Sequence, residues 1–119
     1  MRRRVRGATA FDGCPDSGTF DACCLRCLLQ ANRVNVEHDD GTVASYWHLD
    51  DLWVAAGARI SAGDALGISG TSGCSTGPHL HFEVMQDCPE GFCQSLPSRF
   101  AEAGRPACGD RVTSANACR

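Results

Sequence analysis

The stretch Gly77–Val84, Gly-Pro-His-Leu-His-Phe-Glu-Val, decides the fold prediction for this chain of 119 residues. From His79 onward, polar and apolar residues alternate in it without interruption. Alternation with a period of two is typical of a β-strand that buries one of its faces. We therefore predict a strand that turns its apolar side chains, Leu80 among them, towards a core. The same strand presents His79, His81 and Glu83 on its opposite face.

Two histidines at this spacing can act together. Side chains two residues apart on a strand lie about 6.5 Å apart on the same face. Imidazole is a common zinc ligand and a common general base, so His79 and His81 can converge on one metal ion and its bound water. Paired histidines also occur as ordinary surface residues of strands, so the pattern alone leaves both interpretations open.

The segment upstream of this strand predicts a β-hairpin. Residues 34–38 alternate apolar and polar, and residues 42–49 are rich in β-branched and aromatic residues, as strands are. Asp39-Asp40-Gly41 lies between the two segments, and glycine accepts the positive φ of a tight turn. Further along, glycines interrupt very short apolar runs over residues 54–70, which disfavours a helix and favours short strands in a small barrel or sandwich.

The two ends of the chain give weaker signals. Residues 1–30 are predicted to be irregular, with a short helix over residues 21–30. Residues 86–119 are predicted to form a loop-rich tail with one strand within residues 94–100. The net charge of −3 gives no electrostatic support for nucleic-acid binding. No segment is long and apolar enough to be predicted as a membrane span.

Nine cysteines are a large number for this length. Such usage is typical of oxidising compartments, where disulfides support a small core. Cys88/Cys93 and Cys108/Cys118 are plausible local pairs, although spacing does not determine connectivity. No signal peptide is recognisable after the basic residues at the start, which conflicts with this cysteine usage. One resolution is that the native N-terminus lies further upstream.

Three segments together resemble the lysostaphin/LytM-type zinc endopeptidases. Tyr46–Leu49 corresponds to the family's Tyr-x-His-Leu, and Gly57, Gly63, Gly67 and Gly70 follow its glycine spacing. Ser75–Glu83 corresponds to its signature Ser-Thr-Gly-Pro-His-Leu-His-Phe-Glu, which is the most specific part of the match. The resemblance covers residues 32–85 without a large gap.

The resemblance implies a role for each matching histidine. His81 matches a zinc ligand, and His79 matches the catalytic histidine that orients or deprotonates the zinc-bound water. His48 matches a second catalytic histidine, which stabilises the oxyanion formed when water attacks a peptide carbonyl. Zinc lowers the pKa of its bound water to about 7 and polarises the carbonyl. We interpret His38 as structural and assign no catalytic role to Glu83.

The family also has two zinc ligands in an upstream His-x-x-x-Asp element that this sequence does not match. Three hypotheses stay open. The chain is a fragment of a full enzyme, or it is a degenerate member that binds cell-wall material or regulates another hydrolase. In the third, substitutes such as Cys14, Cys23 or Asp16 complete the metal site. With His81 alone, zinc affinity is expected to be poor.

The resemblance implies a mainly β fold, an antiparallel small barrel-sandwich hybrid. It is expected to be incomplete at the N-terminal edge, where only Val5-Arg6 remains of a strand. We divide the chain into an irregular cysteine-containing segment (1–31), a peptidase-like β core (32–85) and a cysteine-rich tail (86–119). The implied function is zinc-dependent cleavage of peptidoglycan peptides or cross-bridges, outside the cytoplasm or in the cell envelope.

Overall fold

The computed structural model describes residues 3–9, 31–87 and 93–116. Its regular structure consists of strands β1 (Arg3–Thr9), β2 (Arg33–Glu37), β3 (Thr42–Trp47), β4 (Leu49–Leu52), β5 (Arg59–Ile60), β6 (Gly67–Ser69), β7 (His81–Gln86) and β8 (Ser95–Leu96). No helix is present among these described residues, and hence none that could cross a membrane. The prediction of a mainly β fold is confirmed.

The strands form two antiparallel sheets that do not close into a barrel. The larger sheet has six strands in the order β5-β1-β2-β3-β7-β8, and the smaller sheet pairs β4 with β6. Strands β3 and β4 are consecutive in the chain but belong to different sheets, and so do β6 and β7. Between β3 and β7 every connection changes sheet, so the chain passes between the sheets four times. The first passage is at residue 48 and the last covers residues 70–80.

The β2–β3 hairpin forms as predicted, except that its second strand ends at Trp47 and Leu49 begins β4 in the other sheet. His38 and Thr42 close its turn, with the His38 N–H donating to the Thr42 carbonyl at 2.9 Å. Gly41 has a φ of 81°, which glycine adopts without a steric penalty. The Asp40 carboxylate accepts a hydrogen bond from the Thr42 N–H at 2.9 Å. This turn chemistry fixes the register, because a shift by one residue would exchange the two faces of the hairpin.

The core lies on the face of the larger sheet that carries the alternate valines of β2. Val34 and Val36 are buried together with Val5 from β1 and Leu49 from β4. Burying one such side chain contributes about 1.5–3 kcal/mol. Ala8, Tyr46, Leu52, Val54, Ala58, Ile60 and Leu66 pack around this cluster, half-buried. The core therefore joins the two sheets, and it is built largely from the hairpin that the sequence predicts.

Strand β1 corrects the expectation for the N-terminal segment. Arg3–Thr9 form a strand paired with β2 from Arg4↔Glu37 to Thr9↔Arg33, with a bulge between Val5 and Gly7. On its other side, β1 pairs with β5. The prediction of irregular structure over residues 1–31 is wrong for these residues, and the side of β2 expected to be incomplete holds two strands. The arginines of this segment favoured a solvated, irregular end, but Val5 among them is fully buried.

Strand β7 is shorter at its start than predicted. Regular pairing with β3 begins at His81, while His79 forms an isolated bridge with Gly70. Leu80 is 47% exposed, so the prediction that it turns towards the core is wrong. The glycine-interrupted segment forms β5 and β6 as expected, and β8 lies within the predicted tail strand.

The cysteine predictions are tested only in part. Cys108 is an exposed free thiol, so the proposed Cys108/Cys118 pair is wrong. Cys88 and the predicted helix over residues 21–30 lie outside the described residues. The Cys88/Cys93 pair therefore stays a prediction.

Candidate active site

His48 occupies the point where the chain passes from β3 to β4. Its φ is 63°, in the left-handed region that residues other than glycine rarely adopt. Such a conformation costs about 1–2 kcal/mol, which the surrounding contacts must offset. The residue is 8% exposed, so its ring is held within the structure. Strain of this kind is concentrated at functional sites.

Gly70 brings the second histidine to His48. The Gly70 N–H donates to the His48 carbonyl at 2.9 Å, and the Gly70 carbonyl accepts from the His79 N–H at 3.0 Å. A side chain on Gly70 would collide with Asp50, since a Cβ there would lie 2.8 Å from the Asp50 Cβ. Two successive main-chain hydrogen bonds thus place residues 48 and 79 side by side.

Three of the four histidines meet at this junction. The ring centroids of His48 and His79 are 4.6 Å apart, and those of His48 and His81 are 6.0 Å apart. The fourth, His38, lies at the β2–β3 turn, where its Nδ1 is 3.3 Å from the Thr42 Oγ1. The structure therefore gathers the three histidines selected from the sequence and leaves the fourth at a turn.

The loop after β6 determines the orientation of the His48 ring. The His48 Nδ1 lies 2.7 Å from the Ser72 carbonyl oxygen, which can only accept a hydrogen bond. The Ser72 hydroxyl in turn donates to the Leu49 carbonyl at 2.6 Å. Burial lowers the pKa of His48, the hydrogen bond to Ser72 raises it, and the neighbouring His79 and His81 lower it further. The net direction is down, so the neutral ring is favoured.

His81 is the last of three neighbouring side chains that lie in a row across β2, β3 and β7. Arg33 is paired with Trp47, and Trp47 with His81, in the register of the sheet. The Arg33 guanidinium lies 4.9 Å from the centroid of the Trp47 ring, within the range of a cation–π contact. The Trp47 and His81 rings are 6.2 Å apart. The indole is buried, so it supports His81 with a rigid surface. Burial lowers the pKa of Arg33.

Glu83 follows His81 on the same face of β7. One of its oxygens lies 3.8 Å from the His81 Nε2, which is an electrostatic contact rather than a hydrogen bond. Its other oxygen accepts a hydrogen bond from the Ser95 hydroxyl on β8 at 2.8 Å. The tail strand therefore limits the position of the carboxylate beside His81.

The described residues do not fit a complete catalytic metal site. A catalytic zinc ion usually has three protein ligands and one open position. No group of three or more His, Cys, Asp or Glu side chains within residues 3–9, 31–87 and 93–116 is arranged to hold a metal ion. Cys14, Cys23 and Asp16, the substitutes considered from the sequence, lie outside these ranges.

Proton transfer is the chemistry that the described cluster can support. Two neutral imidazoles close together can each accept a proton, and a first proton disfavours a second by repulsion. A pair that shares one proton can accept from water through one ring and donate through the other. Sequence reasoning found these histidines but missed Ser72, Arg33 and Trp47, whose contacts arise from cross-strand and loop packing.

The profile of peptidase family M23 matches residues 27–91, more than half of the chain. This range contains all three clustered histidines. The chain therefore belongs to peptidase family M23. The resemblance proposed from the sequence is confirmed.

Two relatives illustrate how much of a longer protein is matched. The chain is 39% identical over 54 residues to the peptidoglycan DD-endopeptidase ShyA of Vibrio cholerae, covering 45% of this chain and 13% of that protein. It is 42% identical over 55 residues to the glycyl-glycine endopeptidase ALE-1 of Staphylococcus capitis, covering 45% of this chain and 15% of that protein. The chain thus spans only a small part of these relatives.

A solved structure has a similar fold. It is a mutant of the catalytic domain of the prophage-encoded M23 protein EnpA from Enterococcus faecalis, with a TM-score of 0.50 and 24% identity. The match covers 79% of this chain and 67% of that chain. At this identity the likeness supports the fold alone.

Proposed function

We propose that this chain acts as a peptidoglycan endopeptidase, with His79 and His48 as its catalytic residues and His81 as a zinc ligand. The observation that carries the proposal is the convergence of these three imidazoles, with ring centroids 4.6 and 6.0 Å from His48, at the junction of the two sheets. Membership of peptidase family M23 supports peptide-bond hydrolysis as the reaction. The relatives described as a DD-endopeptidase and a glycyl-glycine endopeptidase support a peptide of the cell wall as the substrate.

The two catalytic residues have complementary tasks in this proposal. His79 is exposed, so it can reach a substrate and accept a proton from the attacking water. His48 is buried beside it and donates to the oxygen of the peptide carbonyl once it carries that proton. The ring centroids are 4.6 Å apart, so a water or the substrate between the rings can carry the proton from His79 to His48. His48 must be protonated to donate from Nε2, because its Nδ1 is directed at the Ser72 carbonyl.

A zinc ion is part of the proposal by family, and His81 offers one imidazole to it. Among the described residues, His81 is not part of a group of three or more side chains arranged to hold a metal ion. We also propose a location outside the cytoplasm or in the cell envelope, where peptidoglycan is found. The nine cysteines support an oxidising compartment.

Single alanine variants of all four histidines test the proposal. Purified full chain is incubated with isolated peptidoglycan and zinc, and released muropeptides are separated and identified by mass spectrometry. We expect cleavage by the original chain and a loss of roughly 100-fold or more in His79→Ala and His48→Ala, since general acid–base residues contribute about 10²–10⁴-fold. His81→Ala should also lose cleavage, because it removes a proposed zinc ligand. His38→Ala serves as the matched control and keeps its activity. Cleavage that survives in His79→Ala and His48→Ala would contradict the assignment.

A non-catalytic cell-wall-binding module is the alternative function. The absence of a three-ligand metal group from the described residues favours it. The alternative predicts that the chain binds isolated peptidoglycan without cleaving it, and that binding survives in His79→Ala and His81→Ala. A sedimentation assay with isolated peptidoglycan and the same variants tests this alternative. Loss of binding in His79→Ala or His81→Ala would count against it.

A further inference from the structure

The loop that leads into β7 contains a buried serine directly beside His79. We infer that Ser75, supported by Thr71, is a positioning residue that holds the His79 ring with its proton on Nδ1 and its lone pair on Nε2. The inference deepens the proposed function. It rests on that function only because it takes His79 to be the proton acceptor.

The hydroxyl of Ser75 has its one hydrogen already engaged. It donates its single hydrogen to the Gly77 carbonyl at 2.8 Å, and it accepts from the Thr71 hydroxyl at 2.6 Å. A weaker contact of 3.4 Å joins it to the Gly77 N–H. A serine hydroxyl has one hydrogen to donate. Ser75 therefore has no hydrogen left for the His79 ring.

The His79 Nδ1 consequently faces two acceptors. It lies 2.8 Å from the Gly77 carbonyl oxygen and 3.2 Å from the Ser75 Oγ. An unprotonated nitrogen at 2.8 Å from a carbonyl would bring two lone pairs together, which is repulsive. Both partners favour a proton on Nδ1, and a neutral imidazole carries only one. The tautomer assigned from these partners leaves the Nε2 lone pair to accept a proton.

The supporting hydroxyls are buried although the histidine is exposed. Ser75 is 3% exposed and Thr71 is 7% exposed. A buried hydrogen bond is costly to break without a replacement partner, so the Thr71–Ser75–Gly77 chain is rigid. The exposed His79 ring is thus held by a rigid support, as a catalytic group requires. The hydrogen bonds from His48 to Ser72 and from Ser72 to Leu49 hold the His48 ring in a comparable way, but none of them involves Ser75.

Nitrogen NMR of the histidine rings measures the tautomer directly and needs no turnover. Spectra of the labelled full chain are recorded at a pH at which all four imidazoles are neutral. We expect a protonated-type shift for the His79 Nδ1 and an unprotonated-type shift for its Nε2. The opposite pair of shifts would overturn the inference whether or not any variant folds.

Three variants then test Ser75 itself. In Ser75→Ala the two His79 nitrogen shifts should move towards each other, because the Gly77 carbonyl is no longer fixed and the ring samples both tautomers. Ser75→Thr keeps the hydroxyl and should restore the original shifts. Ser45→Ala is the matched control, since Ser45 is another buried serine whose hydroxyl bonds to Asn35, and it should leave His79 unchanged. Unchanged His79 shifts in a folded Ser75→Ala chain would count against the role.

An activity measurement separates this inference from the proposed function. If the chain cleaves peptidoglycan, Ser75→Ala should lower kcat by roughly 10- to 100-fold, since misplacement of a reacting group has effects of this size, and should change KM little. If the chain shows no cleavage while the NMR shifts are as expected, the proposed function fails and the positioning role stands. Full kcat in Ser75→Ala would contradict the role in catalysis.

Discussion

The backbone at His48 distinguishes this residue from the other histidines of the chain. Among the described residues, it is the one non-glycine residue with a positive φ. The Gly70 N–H and the Ser72 carbonyl both bind to it, and these contacts hold it in a conformation that is unfavourable in isolation. The strained backbone turns the chain from one sheet to the other, and the same turn directs the ring towards His79.

Two substitutions at this position isolate the backbone strain. His48→Ala and His48→Gly lose the same imidazole contacts, but only glycine adopts a φ of 63° without steric cost. We expect the glycine variant to have a free energy of unfolding about 1 kcal/mol higher than that of the alanine variant. Chemical denaturation of both variants measures this difference. An alanine variant of equal or greater stability would show that position 48 carries no strain.

At the residue scale, the sequence identifies the histidines of the site better than it identifies the contacts that position them. The His-Leu-His motif and the Tyr-Trp-His-Leu segment predict His79, His81 and His48 correctly as neighbours. The conformation of His48 and the bonds of Ser75 depend on main-chain carbonyls, whose positions are set by the fold and have no signature in residue type. Ser75 belongs to the recognised motif, but its sequence context alone suggests only a loop.

The loop between β6 and β7 is the element that determines the site. Gly73 within it has a φ of 75°, and a Cβ at this position would lie 2.8 Å from the Ala31 Cβ. The loop thus packs directly onto the segment that precedes β2. This close approach places Ser72 beside His48 and Ser75 beside His79, so the loop acts as a rigid support.

A matched pair of glycine substitutions tests this packing. Gly41 has a similar φ of 81°, but a Cβ there would meet no atom within 4 Å. Gly41→Ala should therefore lose about 1 kcal/mol of stability from backbone strain alone. Gly73→Ala should lose about 2–4 kcal/mol, because overpacking against Ala31 is added to that strain. Thermal or denaturant unfolding compares the two, and equal losses would argue against close packing of the loop.

At the element scale, local patterns predict hairpins more reliably than distant pairings. The β2–β3 hairpin follows from alternation and from the turn at residues 39–41, all of which are close in sequence. Strand β1 pairs with β2 from a distant part of the chain, and its arginines resemble a solvated end. Its strand conformation results from tertiary pairing and from burial of Val5, which residue propensity does not encode.

The whole molecule places the histidine cluster where the chain passes between its two sheets. The first and the last of the four passages, at residue 48 and over residues 70–80, contribute residues to it. The hydrophobic core lies between the same sheets, so the packing that stabilises the fold also fixes the distances between the rings. The sequence predicts the antiparallel β class and the identity of the cluster. The arrangement of the two sheets depends on long-range pairing that alternation does not specify.

Hydrolysis of a peptidoglycan peptide is the central claim at this scale. Mass spectrometry of muropeptides after incubation with the full chain and zinc, in water labelled with heavy oxygen, tests it most directly. The predicted result is shortened peptides whose new carboxyl ends carry one labelled oxygen, and whose formation stops when a chelator removes the metal. Peptides that stay intact and unlabelled at high concentrations of chain and zinc would contradict the claim.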